Sequence, residues 1–411
     1  AAPDHRTRTG PSRAALDHRT PHPGPIGPQV SQLSVTALGV RIARVFAFAS
    51  LAAVLAGCGG QSAQAPTAAG ARDRASTDGA DTSGFAIVKL DPALDAIVSP
   101  DAALETIGDR FGLTEGPVWI QDDASGHLLF SDLISNVIYR WAPGGQLSAF
   151  LENVYDGPDI LNVGQQTRRG RMNVLIIGAN GLTLDREGRL IVASPASRAV
   201  FRLEKNGART VLADRYQGKR FNGPNDVVVK SNGSIYFTDG NSGLRGGANS
   251  PLREIQFNGF YMVKDNTVTL VGSNKEFSEG FPNGIALSPD EKHLYVTIGR
   301  KIMRYQVQSD DTVANATEFL DVQGNDGLKV DANGNVFSTT GAGPGEVRIT
   351  SSERKRLGTL RLPQPPGEPR EQICATNVGF GDADGKGLYI TACTHVYHVR
   401  LNSPGVRPGP R

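Results

Sequence analysis

One unit recurs six times along this chain of 411 residues: a polar residue, a short β-type run, a turn rich in Gly, Asn or Asp, and a second β-type run. The plainest copy spans 220–239. There Asn222 and Asn225 lead into Val227–Val229, a Ser231–Gly233 turn follows, and Ile235–Thr238 returns. β-Branched and aromatic residues around an Asn-Gly turn are the strongest short-range hairpin signal. The other copies are Glu115–Ile120 with His127–Asp132, Asn180–Asp185 with Arg189–Ser194, and Asn283–Ser288 with His293–Thr297. Asp326–Asp331 with Asn335–Thr339 and Asn377–Phe380 with Gly387–Thr391 complete the set. Their leading residues lie roughly 43 to 65 apart, and strands such as Val137–Trp141, Ala199–Leu203 and Ile302–Gln306 fill the gaps. That period predicts an all-β fold, a six-bladed β-propeller of four-stranded antiparallel blades, over 85–403. A β-sandwich does not account for six equal units, and no stretch has the period of a long amphipathic helix. The segment 156–178 widens the first gap and is expected to form a loop over one face.

The chain ahead of the repeats has a different character. Residues 1–40, rich in Pro, Arg and His and without periodicity, read as disordered or as sequence upstream of the true start. In 41–57, Arg41 and Arg44 precede an apolar run of about 12 residues, Val45–Ala56, too short to span a bilayer and suited to a signal-peptide core. The run ends Leu55-Ala56-Gly57-Cys58, which resembles a bacterial lipoprotein box with Cys58 as the lipidated residue. The alternative is an ordinary secretory signal with an incidental Cys. Residues 58–84 read as a flexible tether and 404–411 as a tail. The expected location is the periplasmic side of the cell envelope, anchored to the outer membrane by lipid alone. A formal net charge of +2 provides no basic field for nucleic acid, and the expected state is a monomer.

In a propeller the innermost strand of each blade runs along the central axis, so the residues that begin these strands share one end of the channel. Here they are Glu115, Asn180, Asn225, Asn283, Asp326 and Asn377. Two carboxylates and four amides at one mouth form an oxygen-rich set suited to a hard divalent cation. Ca²⁺ takes about six to eight oxygens at about 2.3–2.6 Å. With no Cys or His in the set, zinc and copper are disfavoured. A competing reading takes Asn-Gly and Asp-Gly as turn formers. It explains a single position better than six in register, and Glu115 is a poor turn former.

These residues also carry a resemblance. Glu115–Trp119 with Leu129–Asp132, Arg220–Val227 with Ile235–Asp239, Phe281–Asp290, Asp326–Asp331 and Thr376–Phe380 resemble the gluconolactonase and regucalcin (senescence marker protein) family of six-bladed propellers. The resemblance covers about 85–400. It implies one divalent cation held by Glu115, Asn225, Asn283 and Asp326, with Ca²⁺ expected ahead of Mn²⁺, Mg²⁺ or Zn²⁺. It also implies hydrolysis of a sugar lactone, the metal polarising the carbonyl while Asp326, or a metal-bound water, supplies the base. Arg220 and Asn222 are then candidates for contact with a sugar-acid oxygen, and Asn180 and Asn377 for the pocket lining. The chain departs from the family at Ala193–Ala196, where a Cys-Glu-His-Gly run is common, and at Gly240–Gly243, where Pro-Pro-Tyr-Gly is common. The metal positions therefore carry over better than the sugar specificity.

Cys374 and Cys393 fall in the last repeat. Pairing Phe380 with Gly387 across the turn sets them opposite each other, so a cross-strand disulfide is expected in an oxidising compartment, against the alternative of two buried thiols. His293, His395 and His398 fall in strands and read as structural. Two further function classes stay open at this point: a metal-dependent phosphotriesterase or aryl esterase of the paraoxonase type, and a non-catalytic propeller that binds sugar or protein.

Overall fold

The computed structural model describes residues 84–410, apart from 123–124, 169–171, 274–279, 322–324, 342, 366, 368 and 370–372. The predicted leader, Cys58 and nearly all of the tether lie outside the described residues. Among those described, no helix is long and apolar enough to cross a membrane.

Six antiparallel sheets follow one another along the chain. Blade 1 is Thr114–Asp122, Ser125–Asp132, Val137–Ala142 and Gln146–Glu152; blade 2 is Leu182–Leu184, Leu190–Ser194, Ala199–Leu203 and Arg209–Ala213. Blade 3 is Pro224–Val229, Ile235–Asp239, Gly259–Lys264 and Thr267–Ser273; blade 4 is Pro282–Leu287, His293–Ile298, Lys301–Val307 and Val313–Asp321. Blade 5 is Leu328–Val330, Val336–Thr339, Glu346–Thr350 and Arg356–Arg361. Blade 6 takes Asn377–Gly381, Gly387–Ala392 and His395–Arg400 from the end of the chain.

The N-terminal strands complete two blades. Leu104–Gly108 is the outer strand of blade 6, pairing Leu104 with Val399, and thereby ties the start of the propeller to its end. Ala86–Lys89 adds a fifth strand to blade 5 through Ala86↔Arg361, so the expectation of four strands in every blade needs correcting there. Closure leaves no bare edge between the first and last blades.

The apolar core lies between blades, because each sheet buries both faces against its neighbours. Val118 and Leu129 of blade 1 pack on Leu182, Val192 and Phe201 of blade 2. Phe337 and Val347 of blade 5 meet Val378, Phe380 and Leu388 of blade 6. The segment 156–178 contains a hairpin, Gly164–Arg168 with Met172–Ile176, that lies beside the site. The segment expected to be a C-terminal tail is instead packed: Ala332 donates to Pro404 O (3.0 Å), Val406 to Val330 O (3.3 Å), and Arg407 Nη1 to Asp382 O (2.7 Å).

Candidate metal centre and active site

Three inner strands carry a β-bulge at the same place. Between Glu115 and Val118 the first strand of blade 1 has one residue more than its partner, and the same holds between Pro224 and Val227 and between Pro282 and Ile285. A bulge bends the strand and re-aims side chains, and these bulges contain or adjoin Glu115, Asn225 and Asn283. Those three side chains line one cavity of about 340 Å³ together with Asn180 and Asp326. Five of the six channel-mouth residues predicted from the repeat therefore meet there. The sixth, Asn377, stands directly behind, donating from Nδ2 to Glu115 Oε2 at 3.0 Å.

The glycine that follows several of these residues has a reason the turn-former reading did not supply. A Cβ on Gly116 would lie 2.3 Å from Asn180 O, and one on Gly284 would lie 2.5 Å from Asp326 O. Glycine is required because neighbouring inner strands crowd the axis. Gly284 sits inside a strand and not in a turn.

A second ring, of hydroxyls, holds the first in place. Ser131 Oγ donates to Asn180 O (2.7 Å), Thr238 Oγ1 to Asn283 O (2.6 Å) and Thr297 Oγ1 to Asp326 O (2.8 Å). Thr339 Oγ1 reaches Thr376 O (2.8 Å), and Thr376 Oγ1 reaches Thr114 O (2.7 Å). Each bond runs from one blade to the next. Four of these five donors stand at or near the end of a repeat's second strand, where every copy has a Ser or Thr; Thr376 instead precedes the first strand of blade 6, and Ser194 of blade 2 bonds locally to Ser197 Oγ.

Electrostatically the mouth is strained. Burial raises the Glu115 carboxyl well above its ordinary value; Asp326 and Asp226 push it further, against hydrogen bonds from Asn377 and Gly116 N. Burial likewise raises Asp326, a hydrogen bond from Asn283 opposes the shift, and Asp226 adds to it. Asp226, missed in the sequence, is itself nearly fully buried and pairs with Lys329 at 3.3 Å. Beside Asp326, Gly341 adopts a left-handed φ of +59°, the conformation that favours glycine.

The donor set fits a hard divalent cation. A buried Glu115 whose ionisation the nearby Asp326 charge opposes gains most from a positive charge between the two. Asn180 Oδ1 is buried with no hydrogen-bond partner and is an available oxygen. Among the described residues no three His, Cys, Asp or Glu side chains cluster as a metal site, so amide oxygens would have to complete this one.

Two predicted substrate contacts are not brought to the cavity. Arg220 Nη2 donates to Ser197 O at 3.0 Å, which holds its fork among main-chain groups. Asn222 is fully buried, with Nδ2 on Phe257 O (2.8 Å) and its main-chain N on Asp239 Oδ2 (3.0 Å). Neither lines the cavity.

His395, read as structural, does line it, with Nδ1 2.9 Å from Thr394 Oγ1. Cys374 and Cys393 are joined by a disulfide, Cα atoms 5.5 Å apart, at the cavity wall. The strand register differs by one from that expected: Phe380 pairs with Leu388 and Gly381 with Gly387, so Cys374 lies just before the ladder.

Comparisons with known proteins agree with this geometry. The chain is 32% identical over 336 residues to a gluconolactonase of Zymomonas mobilis, covering 78% of this chain and 87% of that protein. It is 27% identical over 276 residues to the lactonase drp35 of Staphylococcus aureus, covering 60% of this chain and 79% of that one. A solved gluconolactonase of Xanthomonas campestris superposes with a TM-score of 0.61 at 26% identity, over 77% of this chain and 95% of that one. Residues 113–394 match the family model described as the SMP-30/Gluconolactonase/LRE-like region. With its six blades and its ring of converging oxygens, the chain belongs to that family of propellers.

Proposed function

We propose that this protein is a hydrolase that opens the ring ester of a lactone, with one divalent cation, Ca²⁺ in the first instance, held by Glu115, Asn225, Asn283 and Asp326. The observation that carries the reading is the meeting of two carboxylates, the buried Glu115 and the partly accessible Asp326, with three amides in one cavity, in a chain whose relatives bear the names gluconolactonase and lactonase. A bound cation would polarise the ester carbonyl and stabilise the negative charge that develops on its oxygen.

The chain's own groups do the rest. Asp326 accepts the proton of the attacking water. The water oxygen bonds to the carbonyl carbon, the ring C–O bond breaks, and the ring oxygen takes the proton held by Asp326, which leaves a hydroxy acid and restores the carboxylate. Asn180 orients the substrate from the cavity floor, and Asn377 acts behind Glu115 as a positioning residue. The same proposal places Cys58 as the lipidated residue of an envelope-anchored protein, resting on 41–58 alone. Retained incorporation of labelled palmitate in Cys58→Ala would overturn that part.

The test of the activity is a pH-stat assay over a panel of lactones with chelated protein and with protein reloaded with Ca²⁺, Mn²⁺, Mg²⁺ or Zn²⁺. Cation-dependent acid release is expected. If no lactone opens with any of the cations, the proposal fails.

A further inference from the structure

The cavity has two unlike sides. Its floor is oxygen, from the residues already named. Part of its lining is aliphatic: Leu113, Leu133 and Ile176, which form one cluster, together with Leu362 and Ile373, all of them buried. Two structural devices hold this wall. Leu113, Leu133 and Ile176 pack with Cys393 as one apolar cluster that Cys374 flanks. The disulfide then ties the segment leading into blade 6, next to Ile373, to the end of the strand before His395.

Against that wall, no Lys or Arg is among the described residues that line the cavity. The two candidates for holding a sugar-acid oxygen, Arg220 and Asn222, do not line it. The polar groups outside the floor are uncharged side chains and one imidazole: Gln165, Gln166 and Thr167 on the inserted hairpin, Ser242, Thr376, the Thr394–His395 pair and Tyr397.

We propose that the substrate is a lactone whose ring carries an apolar substituent, an alkyl chain or a hydrocarbon ring, which lies against the wall of Leu113, Leu133, Ile176, Leu362 and Ile373. The inference rests on the lactonase reading above and narrows it. A cavity of about 340 Å³ has room for roughly eleven water-sized groups, more than a bare lactone ring with its carbonyl oxygen occupies. With the ester at the oxygen floor, the part of the remaining volume beside Leu113, Leu133, Ile176, Leu362 and Ile373 adjoins aliphatic side chains. Ring hydroxyls placed there would lose water without gaining a partner, whereas methylenes gain by leaving water.

The test uses the full chain, loaded with the cation that supports turnover, and a series of δ-lactones from unsubstituted through progressively longer alkyl substituents, with glucono-δ-lactone as the polar member. The expected result is that kcat/KM climbs by about fourfold per added methylene until the wall is covered, and that the alkyl members overtake glucono-δ-lactone. Ile373→Asn is expected to flatten the slope per methylene. A flat or falling series in the unmodified protein, or glucono-δ-lactone as the best substrate, overturns the inference and leaves lactone hydrolysis standing. A slope unchanged in Ile373→Asn also counts against it. Failure to open any lactone removes the activity itself, and the inference with it.

Discussion

Asn377 donates from Nδ2 to Oε2 of Glu115 at 3.0 Å, across the seam where the last blade meets the first. One amide thereby orients a proposed cation ligand from the blade that closes the ring. Residues that orient a ligand from behind are typically worth about 10- to 100-fold in metal affinity. Asn377→Ala is accordingly expected to weaken divalent-cation binding by about that factor, read by isothermal titration calorimetry. An unchanged dissociation constant would show that Glu115 needs no support.

Asp326 carries opposite consequences for turnover and for folding. Asp326→Asn is expected to lower kcat by about 10²- to 10⁴-fold, the usual contribution of a general base. In chelated protein the same change is expected to raise Tm at alkaline pH. The folded carboxyl titrates above its unfolded value, so its contribution to stability is present in acid and is lost as pH rises through the folded value. Asn removes that loss. Thermal melts of chelated wild type and variant across pH check the sign.

Thr297 both accepts from Gly284 N (2.7 Å) and donates to Asp326 O (2.8 Å), so it joins blade 4 to blade 5 at the site. Thr297→Val keeps the shape and removes both bonds in a buried place. The expected cost is about 1–3 kcal/mol in urea unfolding, accompanied by weaker cation binding because the Asp326 backbone loses its tether. A stability loss with cation affinity intact would separate the hydroxyl ring from the site.

Asp311, in the last turn of blade 4, joins that blade to blade 3. It is about 1% exposed and accepts hydrogen bonds from Lys230, Lys264 and Asn232 at 2.7 Å and from Ser234 at 2.8 Å. Burial alone would raise its carboxyl, but those donors outweigh it and the pKa is lowered. A lowered folded value contributes stability above the unfolded carboxyl value of about 3.9 that disappears as pH falls through the folded one. Asp311→Asn is expected to lose about 3 kcal/mol near neutral pH and to show a flatter acid limb. Urea midpoints measured across the acid range decide it.

The repeat made the propeller legible because a period-two pattern of strands around Gly-rich turns reports directly on local backbone preference. The same regularity exposed Glu115, Asn180, Asn225, Asn283 and Asp326, since equal positions in equal blades must share one end of the axis. Arg220 and Asn222 do not line the cavity, because proximity in sequence to Asn225 says nothing about direction. Arg220 lies in a small hairpin with Arg215–Tyr216 and points to Ser197. The register of the last hairpin missed by one residue, because a turn of several residues admits two alignments that packing alone distinguishes.

What the sequence by itself determined is the set of blades and the ring of polar residues that opens them, both written in short-range patterns. Only the tertiary structure decided which N-terminal strands complete blades 5 and 6, which hydroxyl braces which carbonyl, and that the 404–410 segment packs against the body. It also decided that Leu113, Leu133, Ile176, Leu362 and Ile373 share the wall of one cavity. These are contacts between residues far apart in the chain. They follow from closing six sheets around one axis, and no local preference encodes them.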